Sequence, residues 1–274
     1  MARRKTPEQR AVEVQSYGER EPYVNPATVA AIQSVFNRTR LSHQNWESRQ
    51  LYGRLDSRHA WRNDARGSVD LFKERRLPSP TKLNVHILVD ASGSMMGDRA
   101  CRAQDMAATL VKAFERIPTV RLAVWQHNAI GHGATVYRVA ERGIAPKLDQ
   151  MLNNLGGGNA DGFALEFVGN RIVQSAKPDE KNIVIVVSDG LPSVSGQGAT
   201  GNILDHSALV AQTLRRKGVD VMSVAIAGDT TAHEYMYGKD SVVPFLNDWS
   251  ALSRSFAATF GKVLGREAKR TAHC

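Results

Sequence analysis

Cysteine is almost missing from this chain: only Cys101 and Cys274 occur among 274 residues. One lies in a helical pattern and the other is the last residue, so they form neither a disulfide framework nor a zinc cluster. Reduced thiols suit the cytoplasm. Long apolar runs are absent too. Nothing approaches the roughly 20 residues needed to cross a bilayer, which excludes a spanning helix. The start, Met-Ala-Arg-Arg-Lys-Thr-Pro-Glu, is basic with no apolar core behind it. No secretory leader and a cytoplasmic location are therefore expected. No Gly-Lys-Ser/Thr phosphate loop occurs, so the chain is not expected to turn over ATP itself.

Negative charge is in deficit. There are 36 Lys and Arg against 27 Asp and Glu, a formal net charge of +9. Residues 1–80 hold 15 of those cations against 9 anions, so an excess of six sits there. Such an arm suits nucleic acid, an acidic protein surface, or plain solvation. Neither an aromatic-interleaved RNA motif nor a recognition helix accompanies it, so nucleic acid stays an alternative partner.

What is present is an ordinary globular composition, 42% hydrophobic and 23% charged. Strand and helix patterns alternate along it. Asn25-Pro26 opens a helix carrying Val29, Ile32, Val35 and Phe36, read as running on towards Trp46. Residues 53–76 read as a basic, partly helical connector, and Leu77-Pro78-Ser79-Pro80 as a stiff linker. The expected organisation is a basic, mainly helical extension over 1–80, a domain over 81–266 and a basic tail over 267–274. Within the domain, strands are expected from Val85, over 120–125, 135–139, 182–188 and 219–226, and at Val242-Val243. Helices are expected over 97–116, from Gly162 or Phe163, from an Asp205 cap to Lys217, and from an Asp248 cap onward. The alternation defines an α/β fold, a doubly wound, Rossmann-like, mostly parallel sheet with an antiparallel edge.

Two apolar strands end in aspartate. Val85-His86-Ile87-Leu88-Val89 runs into Asp90-Ala91-Ser92-Gly93-Ser94-Met95, and Ile183-Val184-Ile185-Val186-Val187 into Ser188-Asp189-Gly190. Unalternating apolar strands are covered on both faces, and open α/β sheets place ligands at the carboxyl ends of such strands. A carboxylate and two hydroxyls on a tight turn are hard donors, suited to magnesium, manganese or calcium. A plain strand-to-helix turn with a serine cap is the competing reading. Between these strands lies Gly156-Gly157-Gly158-Asn159-Ala160-Asp161-Gly162, whose glycines let the backbone approach closely. His127 and His132 fall near a strand end and are read as loop histidines before ligands.

Asp-x-Ser-Gly-Ser with the downstream Val-x-Ser-Asp-Gly resembles the metal-ion-dependent adhesion site of a von Willebrand factor A domain. That resemblance implies a six-residue metal set: Asp90, Ser92, Ser94, Asn159, Asp161 and Asp189. It implies that Ser92 and Ser94 bind the cation directly, and that Asp90 and Asp189 act through water or by orienting the hydroxyls. Asn159 stands where most such domains have threonine; its amide oxygen can replace the hydroxyl, and Asp161 can add a carboxylate. Asp161 as a simple helix cap is the alternative.

Gly53-x-Leu55-Asp56-x-Arg58, an arginine-rich stretch ending near Phe72 and Arg75-Arg76, and then Asp-x-Ser-Gly-Ser-Met resemble the CobT subunit of aerobic cobaltochelatase over roughly residues 50–264. That resemblance implies a non-catalytic subunit, with no catalytic residue nominated in this chain. It further implies a AAA+ ATPase partner of the MoxR or CobS kind, a ring assembly, and cobalt insertion into a corrin as the task of the whole machine. The alternative is a basic nucleic-acid-binding or virion-associated protein using the same domain.

Overall fold

A computed structural model of the chain describes residues 20–42, 45–57, 70–76, 82–130, 133–141, 148–177, 179–190, 192–193, 200–226 and 230–270. His132, the Leu77–Pro80 linker, most of the 1–22 arm and Cys274 lie outside the described residues.

The first helix among the described residues is α1 (Pro26–Ser42), in the extension. Asn25 caps it, its Oδ1 accepting from the Thr28 backbone N–H at 2.9 Å, which satisfies one of the orphan donors of a helix start. The helix stops at Ser42 and does not continue to Trp46. Strand β1 (Asn45–Gln50) follows, then β2 (Arg54–Leu55) and β3 (Phe72–Arg76). These make a small antiparallel sheet in the order β1-β3-β2. The basic connector therefore contains strands that its scattered apolar residues did not signal.

The domain is a six-stranded sheet in the order β6-β5-β4-β7-β8-β9. Its strands are β4 (Lys82–Asp90), β5 (Val120–Ile130), β6 (Gly133–Glu141), β7 (Glu180–Ser188), β8 (Val219–Ile226) and β9 (Val242–Phe245). All neighbours are parallel except β6, which runs antiparallel to β5 at the edge. The helices are α2 (Asp98–Glu115), α3 (Asp161–Ser175), α4 (Thr200–Arg216), α5 (Thr231–Tyr237) and α6 (Trp249–Arg270).

Strand alternation divides the core. Leu83, Val85, Ile87 and Val89 face α1, α2 and α6, packing with Ile32, Leu110, Phe256 and Phe260. Leu88, Trp125, Val184 and Val186 face α3, α4 and α5, packing with Leu165, Val168 and Tyr237. Asp90 shares the Leu88 face, His127 the Trp125 face and Ser188 the Val186 face. All three therefore point towards the start of α3, Asp90 and Ser188 from the last positions of their strands and His127 from within β5.

Most element boundaries agree with the sequence pattern. Asp248 caps α6, accepting from the Ser250 and Ala251 backbone N–H groups at 2.8 and 3.1 Å. Asp205 does not cap α4, because that helix starts five residues earlier, at Thr200. His127 is not a loop residue: β5 extends to Ile130 and buries it completely.

Candidate metal-binding site at the strand ends

β4 and β5 pair with Asp90 opposite His127, and β4 and β7 with Val89 opposite Val187. That register brings Asp90, His127 and Ser188 side by side at one sheet edge. The glycine loop then folds down upon them. Gly93 N–H donates to Gly157 O at 2.9 Å and Gly156 N–H to Ala91 O at 2.8 Å. Ala129 and Gly158 exchange backbone hydrogen bonds at 2.7 and 3.0 Å, and Ser193 N–H donates to Asn159 O at 2.8 Å. A Cβ on Gly157 would lie 2.2 Å from Ala129 O, and one on Gly158 2.1 Å from Ser193 O. Any side chain at either position would push the loop off the strand ends.

The six residues join in one chain of contacts with an outer and an inner part. In the outer part, Ser92 Oγ and Ser94 Oγ are 3.0 Å apart, and Ser94 Oγ donates to Asp189 Oδ1 at 3.0 Å. Ser94 is exposed while Ser92 is buried. In the inner part, Asp90 Oδ1 accepts from the Ser92 backbone N–H at 2.8 Å. Its Oδ2 accepts from Asn159 Nδ2 and from Ser188 Oγ, both at 2.8 Å. Asn159 Oδ1 accepts from the Asp161 backbone N–H at 2.9 Å, and its Nδ2 also reaches Ser188 Oγ at 3.1 Å. Asn159 thus presents its amide hydrogens to Asp90 and keeps its oxygen in the turn that opens α3. Asp161 is the first residue of α3 and makes no side-chain cap.

Asp161 is fully buried and looks towards β5, where His127 Nε2 lies 3.0 Å from its Oδ1. That is ion-pair range but off the axis of a hydrogen bond, and neither His127 nitrogen makes an aligned one. Burial pulls the imidazole down, but Asp161 and then Asp90 outweigh it and leave His127 raised. Burial, and next the charge of Asp161, push the Asp90 carboxyl up to about 7. Burial and the same two carboxylates raise the Tyr237 phenol. This inner cluster carries more negative charge than its desolvated surroundings accommodate easily.

The residues present suit a hard divalent cation. Two hydroxyls and a carboxylate oxygen follow one another at hydrogen-bond spacing, with the middle one, on Ser94, exposed. A positive group is already drawn there: Arg99 Nη1 lies 2.8 Å from Asp189 Oδ2 and 3.2 Å from Ser94 O. Ser188 and His127 also belong to the network. Ser188 sits inside the second strand motif, directly before Asp189, and that adjacency was its only signal. Arg99 is an ordinary basic residue of an amphipathic helix and carries no sequence signal.

The family model of the von Willebrand factor type A domain matches residues 84–255. The chain belongs to this family. Among solved structures it is similar to the pilus adhesin SpaC of Lactobacillus rhamnosus GG, at 14% identity and a TM-score of 0.50. That match covers 69% of this chain and 31% of the adhesin, so this chain spans about a third of it. It is also similar to the manganese-loaded TRAP protein of Plasmodium vivax, at 16% identity and a TM-score of 0.50, covering 67% of this chain and 74% of that one. At these identities the likeness is one of fold. No curated protein matches the chain.

Proposed function

We propose that this protein is a cation-dependent interaction module. Ser92, Ser94 and Asp189 hold magnesium or manganese, and Asp90, Asn159 and Asp161 set their geometry from behind. When bound, the cation supplies a Lewis-acidic face for an acidic side chain of a partner. The chain's own residues fix the donors: Asp90 holds the Ser92 backbone through its Oδ1, and Ser188 and Asn159 hold Asp90.

The observation that carries this reading is the run Ser92 Oγ–Ser94 Oγ–Asp189 Oδ1, with both steps at 3.0 Å and its middle member, Ser94, exposed. Family membership supports it, and the manganese in the similar TRAP protein favours a divalent ion of this size. The resemblance of residues 50–264 to CobT supports a particular partner, a AAA+ ATPase of the MoxR or CobS kind, in a ring assembly. In that reading the chain is a non-catalytic, cytoplasmic subunit of a cobaltochelatase-type complex, and ATP turnover belongs to the partner.

Two measurements test this. Calorimetric titration with manganese chloride should show binding to the wild type and a loss of roughly 10- to 100-fold in Ser94→Ala and Asp189→Ala. The ATPase should then co-purify with the chain in magnesium and not in EDTA. Association that ignores EDTA and both substitutions would sink the bridging role.

A further inference from the structure

Asp189 has two carboxylate oxygens, and both are engaged. Oδ1 accepts from the Ser94 hydroxyl and Oδ2 from Arg99. The carboxylate is almost wholly buried, with 4% of its side-chain surface exposed, whereas the Arg99 side chain is 46% exposed. Arg99 is the second residue of α2, one turn beyond the Asp90-Ala-Ser-Gly-Ser motif. Its Nη1 bridges Asp189 Oδ2 and the Ser94 carbonyl, so one guanidinium ties the two outer donors together. A guanidinium cannot lose its charge, and its planar fork suits a carboxylate. A carboxylate this buried needs a positive partner, and Arg99 provides it. The arginine has a long stem and an exposed course, so it can turn into solvent when another cation takes its place.

We propose that Arg99 is a built-in competitor for the divalent cation and thereby sets the affinity of the site. This rests on the cation reading of Ser92, Ser94 and Asp189. The cation takes Oδ1 while the guanidinium sits on Oδ2 of the same carboxylate, so the two positive charges contend for one negative charge and the apparent affinity is the intrinsic one reduced by that contest. The site then fills only where the free ion is abundant, and a change of one exposed residue retunes it without touching a donor.

The test is calorimetric titration of the full chain with manganese chloride, repeated by paramagnetic resonance of the free ion. The wild type is compared with Arg99→Met, which keeps the aliphatic stem, and with Arg99→Ala. Arg102→Ala is the control: Arg102 lies one turn further along α2 and pairs at 3.9 Å with Asp98, not with Asp189. Both Arg99 variants should bind manganese about three- to tenfold more tightly, the range of a partly exposed ion pair. Arg102→Ala should stay within about twofold, because its guanidinium pairs with Asp98 and not with Asp189. Equal affinity in wild type and Arg99 variants, weaker binding in the variants, or an equal gain in Arg102→Ala would each overturn the proposal. Binding by the variants but not by the wild type would support it. Silence from all four proteins would reject the cation reading itself, and the competition with it.

Discussion

His86 interrupts the apolar run of β4, and its environment makes it a pH-sensitive element of the core. Trp125 Nε1–H donates to its Nδ1 at 2.9 Å, and its Nε2 lies 3.2 Å from Asn84 Oδ1. The tautomer consistent with both contacts carries its proton on Nε2 and is neutral. Burial first, and the charge of Arg121 second, lower the imidazole from 6.5 to about 4. The unfolded chain therefore takes up this proton more readily. Stability from His86 is fully present above pH 6.5, falls as the pH drops, and levels off near pH 4. The loss over that window is about 3 kcal/mol. Urea denaturation at pH 7 and pH 4.5 measures it, and His86→Gln should flatten that part of the profile.

Asp90 is the other residue whose surroundings decide its role. It accepts from the Ser92 backbone, Asn159 and Ser188. Asp90→Asn keeps the volume but turns an amide N–H towards existing donors. A buried donor left unsatisfied costs about 1–3 kcal/mol, so a matching drop in unfolding free energy is expected, together with weaker manganese binding. An unchanged denaturation midpoint would show that the inner network does not depend on a carboxylate there.

At the scale of elements, the glycine loop joins β4, β5 and the segment after β7. Gly157 has φ +74°, and its Cβ position lies against Ala129 O. Gly157→Ala therefore combines a disfavoured backbone with a backbone clash. We expect a loss above about 2 kcal/mol, with faster amide exchange at Ala129 and Gly158, whose mutual hydrogen bonds must open first. The same loop shows why legibility differed among site residues. Asp90, Ser92, Ser94 and Asp189 stood out because strand ends carry short, contiguous motifs. Asn159 and Asp161 were found by resemblance, but the direction of the Asn159 amide depends on the turn that receives its oxygen. The pattern alone puts His127 in a loop, whereas β5 continues past Trp125 through polar residues that hide its end.

For the whole molecule, the stretch that matches the family is not a self-sufficient core. Ile32 of α1 is fully buried, and Val35 and Phe36 nearly so, in the same cluster as Phe256 and Phe260 of α6. Thr28 Oγ1 and Ser253 Oγ lie 2.6 Å apart, and Arg20 forms a forked pair with Asp105 of α2 at 2.7 and 3.0 Å. Beginning the chain at residue 82 would uncover this face. The truncated protein should lose several kcal/mol of stability, as large core deletions do, and should bind an apolar dye or aggregate. A truncated domain with the full chain's melting temperature would show that α1 is an accessory.

The sequence by itself determined the fold class, because apolar strands alternating with amphipathic helices have few packings. It also determined which two strand ends carry oxygen donors, because those motifs are contiguous. Tertiary structure decided what contiguity cannot express. Register set His127 against Asp90, strand alternation turned Asp90 towards α3, and helix packing made α1 part of the core. Side-chain reach brought Arg99 onto Asp189, ninety residues away in the chain. Those relations depend on distances between segments far apart in sequence, which only the packed sheet brings together.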